Sequence, residues 1–142
     1  MKKEFIKHLV ISGSDLKTAL KLIEALPEVG VLFVVTEKNL LLGSLTDGDI
    51  RRGLLKGINI NSKLSSVVYK KPIYINFVKF SPEAIKKKFS ETGQEFIPIL
   101  KDKKIVKIFR NIDKITLKPN KAIDNPVVIM AGGLGKRLKS LT

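Results

Sequence analysis

The chain has 142 residues, 44% of them hydrophobic and 28% charged, with no cysteine and a single histidine, His8. That is enough chain to bury a core without staples, and it excludes disulfides, thiolate chemistry, cysteine-based zinc sites and histidine clusters. No apolar run approaches the ~18 residues of a membrane span, and the net charge of +14 rests mainly on lysine.

The N-terminus places basic residues before a short apolar stretch. Glu4, Lys7 and His8 interrupt that stretch, which is too short for a secretory h-region, so a cytoplasmic location is expected. Positive charge attracts phosphates. The lysines nevertheless come in clusters, Lys86 to Lys88 and Lys101, Lys103 and Lys104, with no aromatic interleaving of the kind that builds a base-stacking platform. Neither nucleic acid nor membrane is the expected partner. Carboxylates are not grouped as a calcium loop requires.

In chain order, Leu16, Ala19, Leu20, Ile23 and Leu26 fall on one helical stripe. Ser14 or Asp15 is placed to cap it, and Pro27 and Gly30 mark its stop. Val31 to Val35 reads as a strand, Glu37 to Asn39 as a turn and Leu40 to Leu45 as a second strand. Their uninterrupted apolar character predicts cover on both faces. Asp47 to Gly57 reads as a helix with Ile50, Leu54 and Leu55 inward. A polar joint, Asn59 to Lys63, leads to a strand over Pro72 to Phe77. Ser81 caps the next helix, Pro82 sits at its first position, and Ala84, Ile85 and Phe89 face in. Phe96 to Leu100 and Ile105 to Phe109 read as strands around a turn at Lys101 to Lys104, and Asn111 begins a further helix.

The order repeats. The segment from Val31 to Ile50 aligns with that from Glu95 to Lys114 at an offset of 64, placing Val35 on Ile99, Thr46 on Arg110 and Asp49 on Asp113. The preceding helices match at about 65. A unit that cannot bury its own apolar faces packs on its copy. Residues 1–58 and 59–114 are the expected repeats, with a cleft between them. Residues 115–126 read as a linker punctuated by Pro119 and Pro126, and residues 127–142 as the start of a different domain.

Two stretches carry chemistry. In Gly43-Ser44-Leu45-Thr46-Asp47-Gly48-Asp49 a strand ends at a threonine and a helix begins. Capping alone accounts for such residues. The same geometry suits a nucleotide, because a helix start binds phosphate and a carboxylate one turn in accepts both ribose hydroxyls. This motif and its recurrence resemble the CBS domain, over roughly residues 5 to 114 as a tandem pair. The resemblance implies an α/β pair with pseudo-twofold symmetry, homodimerisation, regulation of an attached protein, and AMP, ADP or ATP as ligand. Thr46 would meet phosphate or ribose, and Asp49 would hold the ribose hydroxyls. In the second copy Asp113 keeps the ribose-binding aspartate position and Lys107 replaces glycine, while Arg110 replaces threonine and would either bind phosphate as a charged fork or fill the cleft.

The second stretch is Met130-Ala131-Gly132-Gly133-Leu134-Gly135-Lys136-Arg137-Leu138, after the apolar Val127 to Ile129. Its glycines let backbone N–H groups approach phosphate. It resembles the opening loop of sugar-nucleotide nucleotidyltransferases of the mannose-1-phosphate guanylyltransferase-related kind, with Ser140 where proline is usual. That resemblance implies that Gly132, Gly133, Gly135 and Arg137 wrap a nucleoside triphosphate in a longer parent, which would use Mg2+ and release pyrophosphate while forming a nucleoside-diphosphate sugar, a GDP-sugar being one such product. The 142 residues themselves are expected to be no enzyme. The alternative is a pair that binds no ligand and serves dimerisation or domain packing.

Overall fold

The structure, a computed structural model, describes residues 5–26 and 30–111. Two lobes of the same plan follow one another. The first comprises β1 (Leu9–Ile11), α1 (Leu16–Glu24), β2 (Val31–Val35), β3 (Leu41–Thr46) and α2 (Asp47–Leu55); the second comprises β4 (Ile75–Asn76), α3 (Pro82–Thr92), β5 (Phe96–Lys101) and β6 (Lys104–Arg110). Each lobe has a three-stranded sheet, ordered β1-β2-β3 and β4-β5-β6. The first pair of each is parallel and the second antiparallel. A parallel pair needs a crossover, and α1 and α3 supply it.

The helix starts follow from their caps. Asp15, rather than Ser14, accepts the Thr18 N–H at 2.8 Å, and its bonds from Thr18 hold its carboxyl below the ordinary carboxylate range. Ser81 accepts the Ala84 N–H at 3.1 Å, with Pro82 at the first helical position. Gly93 ends α3 with φ 64°, a conformation that only glycine adopts without strain.

Two-sided burial explains the unbroken apolar strands. In β2, Leu32 and Val34 face α1 and α2 in a core with Leu16, Ala19, Leu45 and Ile50. Phe33 and Val35 face the other way. They meet Phe96, Leu100 and Ile105 of the second lobe in a shared core. In β5, Ile97 and Ile99 pack on Ile85 and Phe89 of α3. The period of two thus sends alternate residues into a private core and into the joint.

The lobes also meet through backbone. Leu40 bridges Lys104, the Leu41 N–H donates to Lys103 O at 2.9 Å, and Asn39 Nδ2 donates to Ile105 O at 3.1 Å. Leu40 and Lys104 are equivalent positions, so this contact lies on the pseudo-twofold axis.

Several expectations need correction. Val31 pairs with Thr46 and Val35 with Leu41, as Phe96 pairs with Arg110 and Leu100 with Ile105. Val35 therefore corresponds to Leu100, not Ile99. The β2–β3 turn has one residue more than the tight β5–β6 turn, where Asp102 and Lys103 both take positive φ. Leu54 and Leu55 do not face in; Leu55 is 83% exposed. The strand expected over Pro72 to Phe77 is only Ile75–Asn76, followed by a 3-10 turn at Phe77–Lys79. Strand β1 was not foreseen. The regions of residues 115–126 and 127–142 lie outside the described residues.

Candidate functional site

Thr46 ends β3 and caps α2. Its hydroxyl accepts the Asp49 N–H at 3.2 Å, while Asp49 Oδ2 accepts the Thr46 N–H at 2.9 Å. This reciprocal pair satisfies two helix-end donors. The Thr46 hydroxyl also donates to Asp49 Oδ2 at 2.7 Å, and Arg52 reaches Asp49 Oδ1 at 2.7 Å. Both carboxylate oxygens are thus engaged, although the Asp49 side chain keeps 21% of its exposure. Asp47 and Asp49 together place negative charge at the positive end of α2.

Beside this corner lies a hollow of about 230 Å3, walled by Asp49, Arg52, Lys56, Ile58 and Val67. An apolar hollow of about 240 Å3 lies next to it, lined by Val34, Leu42 and Val68, with Ser12 and Lys70 at its edge. Val68 belongs to both.

The strap that carries Val67 and Val68 runs along the outer edge of β3, where Ser44 and Tyr69 exchange backbone hydrogen bonds at 3.0 and 2.9 Å. Gly43 permits this. A Cβ there would meet Val68 and stand 2.6 Å from the Tyr69 carbonyl oxygen. Gly43→Ala is therefore expected to push the strap outward and cost about 1–3 kcal/mol, measured as a lowered midpoint in urea unfolding. The motif glycine is a packing residue here.

The second lobe differs. Arg110 Nε and Nη2 donate to Glu95 Oε1 at 3.3 and 3.2 Å, and the guanidinium lies 5.8 Å from the centre of the Phe96 ring. The His8 ring covers Phe96 at 4.7 Å, while His8 Nδ1 sits 3.0 Å from Val31 O. Arg110 is thus held by Glu95 at the seam of the lobes. Lys107, at the glycine position, is exposed, and its ammonium lies 4.3 Å from the Phe109 ring centre. Asp113, Gly132, Gly133, Gly135 and Arg137 lie outside the described residues.

The structure thus brings Thr46 and Asp49 into direct contact and adds Arg52, Lys56 and the strap, which the motif reading missed. Arg52 was legible as the i+3 partner of Asp49. Lys56 follows at i+7 on the same side of α2, whereas Val68 had no such signal, because only the return of the strap places it there. Among the described residues no three potential metal ligands cluster, and no helix is long and apolar enough to cross a membrane.

No protein-family model matches the chain, and no curated protein does. Solved structures do. A putative acetoin utilization protein (AcuB) from Vibrio cholerae is 18% identical, with 77% of this chain and 80% of that one covered and a TM-score of 0.66. A CBS domain protein from Streptococcus pneumoniae TIGR4 is 14% identical over 76% and 72%, with a TM-score of 0.64. CBSX2 in complex with AMP is 19% identical over 77% and 84%, also at 0.64. At such identities the likeness carries the fold: two similar lobes in the α/β architecture of a tandem CBS-domain pair.

Proposed function

We propose that the chain is a regulatory module that binds an adenine nucleotide, AMP, ADP or ATP, at the start of α2. The observation that carries this reading is the corner itself: a partly buried Thr46–Asp49 pair at a helix N-terminus, beside a hollow walled by Asp49, Arg52 and Lys56 and an apolar one that shares Val68 with it. The apolar hollow takes the base, Asp49 takes the ribose hydroxyls, and Thr46 with the N–H groups at the start of α2 meets phosphate. The likeness to a protein solved with AMP supports the ligand class. Arg110 and Asp113 remain the proposed second-site residues. With Arg110 already paired to Glu95, the first site is the stronger of the two.

Repeats at 1–58 and 59–114, a linker at 115–126 and the start of a nucleotidyltransferase domain at 127–142 complete the proposal. Gly132, Gly133, Gly135 and Arg137 would then serve the parent, a cytoplasmic sugar-nucleotide enzyme using Mg2+ and a nucleoside triphosphate. The Met130 to Leu138 motif alone supports that part.

One observation favours the rival reading of a module without ligand. Both Asp49 oxygens already have partners, and Leu54 and Leu55 stand exposed on α2 as an apolar face for homodimerisation. Isothermal calorimetry with AMP, ADP and ATP separates the two. Binding at micromolar to submillimolar nucleotide is expected; no heat at millimolar nucleotide, with a dimer by light scattering, establishes the rival.

A further inference from the structure

The two lobes differ in the loop between the first strand and the first helix. In the first lobe that loop is Ser12-Gly13-Ser14; in the second it is Phe77-Val78-Lys79-Phe80. The fold therefore does not need apolar residues there. Yet Val78 is 95% exposed, and Phe77 and Phe80 are about half exposed. A soluble surface seldom clusters large apolar groups without a use for them.

Cations surround this turn. Lys101 Nζ lies 5.6 Å from the Phe77 ring centre and Lys107 Nζ 4.3 Å from that of Phe109, against which Phe80 packs at 5.6 Å. Lys79 belongs to the turn and also to an adjoining open hollow of about 300 Å3, walled by Tyr74, Asn76, Lys87, Lys88 and Glu91. Glu91 answers Lys87 at 3.8 Å, which leaves Lys79 and Lys88 as excess positive charge. This hollow lies between α3 and the β4 segment and shares no lining residue with the hollow beside Asp49.

We infer that this end of the second lobe docks on an anionic lipid surface. The Phe77–Phe80 turn enters the headgroup boundary, the lysines meet lipid phosphates, and the Tyr74–Lys88 hollow holds one headgroup. No helix among the described residues is long and apolar enough to cross a membrane, and surface docking needs none. It requires a shallow apolar tip within a cationic collar. Single-stranded nucleic acid fits less well. Bases need open ring faces, whereas ammonium groups lie over Phe77 and Phe109, and Phe80 stacks between them.

The test is co-sedimentation of the full chain with vesicles of phosphatidylcholine alone or with 40% phosphatidylglycerol. Binding is expected only with phosphatidylglycerol, and it should weaken as salt rises. Val78→Asp, at a position where nothing is packed, is expected to cut the bound fraction at least fivefold with an unchanged melting temperature. Lys79→Glu should do likewise, at roughly fivefold per charge lost. The inference is overturned if phosphatidylglycerol vesicles are not bound, or if Val78→Asp binds as well as the parent chain, which would mean unspecific attraction to any polyanion. Release by 10 mM glycerol phosphate would assign the hollow to a free phosphate ester and overturn it equally.

Discussion

Leu64→Ala is expected to destabilise the whole molecule by about 2–5 kcal/mol, lowering the melting temperature by roughly 10 °C. Leu64 is fully buried in the core of the first lobe, among Leu16, Ala19, Leu32, Leu45 and Ile50. In the chain it follows α2, on the way to the second lobe. Three backbone bonds stitch its segment to the start of α1: Leu16 to Ser62 at 3.0 Å, Lys17 to Ile60 at 3.0 Å and Leu64 to Ser14 at 3.2 Å. With these bonds in place the segment collapses poorly around a missing side chain, so the cavity cost is not relieved. The shared core of Phe33, Val35, Phe96, Leu100 and Ile105 then carries the loss to the second lobe. Chemical unfolding followed by circular dichroism should remain one transition at a lower midpoint. Two separated transitions would show that the lobes fold independently and that the shared core couples them weakly.

The same segment marks where sequence reasoning stops. The helices and the antiparallel strand pairs were legible, because caps, the stripe at 3.6 and the apolar runs are local. Strand β1 was not, and β4 was legible only as part of a longer run, Pro72 to Phe77. Three residues such as Leu9–Ile11 and two such as Ile75–Asn76 carry no period of their own, and they become strands only because β2 and β5 offer an edge. Leu54 and Leu55 read as inward from spacing alone, yet the core side of α2 is taken by Ile50 and by Gly53, where a Cβ would collide with Val67. The joint at Asn59 to Lys63 read as a polar boundary between units. Its backbone instead ties the first lobe, and the apolar residues just beyond it complete that lobe's core.

The candidate site divides along the same line. Thr46 and Arg52 each lie within one turn of Asp49, so their bonds to it were readable from spacing. The alignment of Thr46 with Arg110 also survives, because both end the last strand of their sheet. What Arg110 does was not readable. Glu95 is fifteen residues away, and only the pairing of Phe96 with Arg110 across β5 and β6 puts the two charges together. Basic–aromatic alternation was likewise absent from the linear sequence, but folding gathers Phe77, Phe80 and Phe109 with Lys101 and Lys107 at one end of the second lobe.

On the proposed function, Asp49→Asn is expected to abolish most nucleotide affinity while leaving the fold nearly intact, which separates the proposed ligand role of this residue from its part in the cap of α2. Its side-chain oxygen can still accept the Thr46 N–H, so the cap survives and the stability loss should stay near about 1 kcal/mol. Binding depends on more than the cap. A ribose diol presents two donors, and a carboxylate offers each of them a charged acceptor; asparagine offers one neutral acceptor and an NH2 that opposes the second. Losing one charged hydrogen bond of about 1.5–3 kcal/mol corresponds to roughly a 10- to 150-fold rise in Kd. Binding must also turn the Thr46 hydroxyl away from Oδ2 and displace Arg52 from Oδ1, each of which stands at 2.7 Å. That displacement costs little, because the Arg52 side chain is 66% exposed and the pair is largely screened. The guanidinium is then free to follow the incoming phosphate on the same side of α2. Calorimetry on Asp49→Asn beside a melting curve therefore reads the site directly. Lost affinity at a nearly unchanged melting temperature assigns the aspartate to the ligand, whereas unchanged affinity leaves it as the cap of α2 and nothing more.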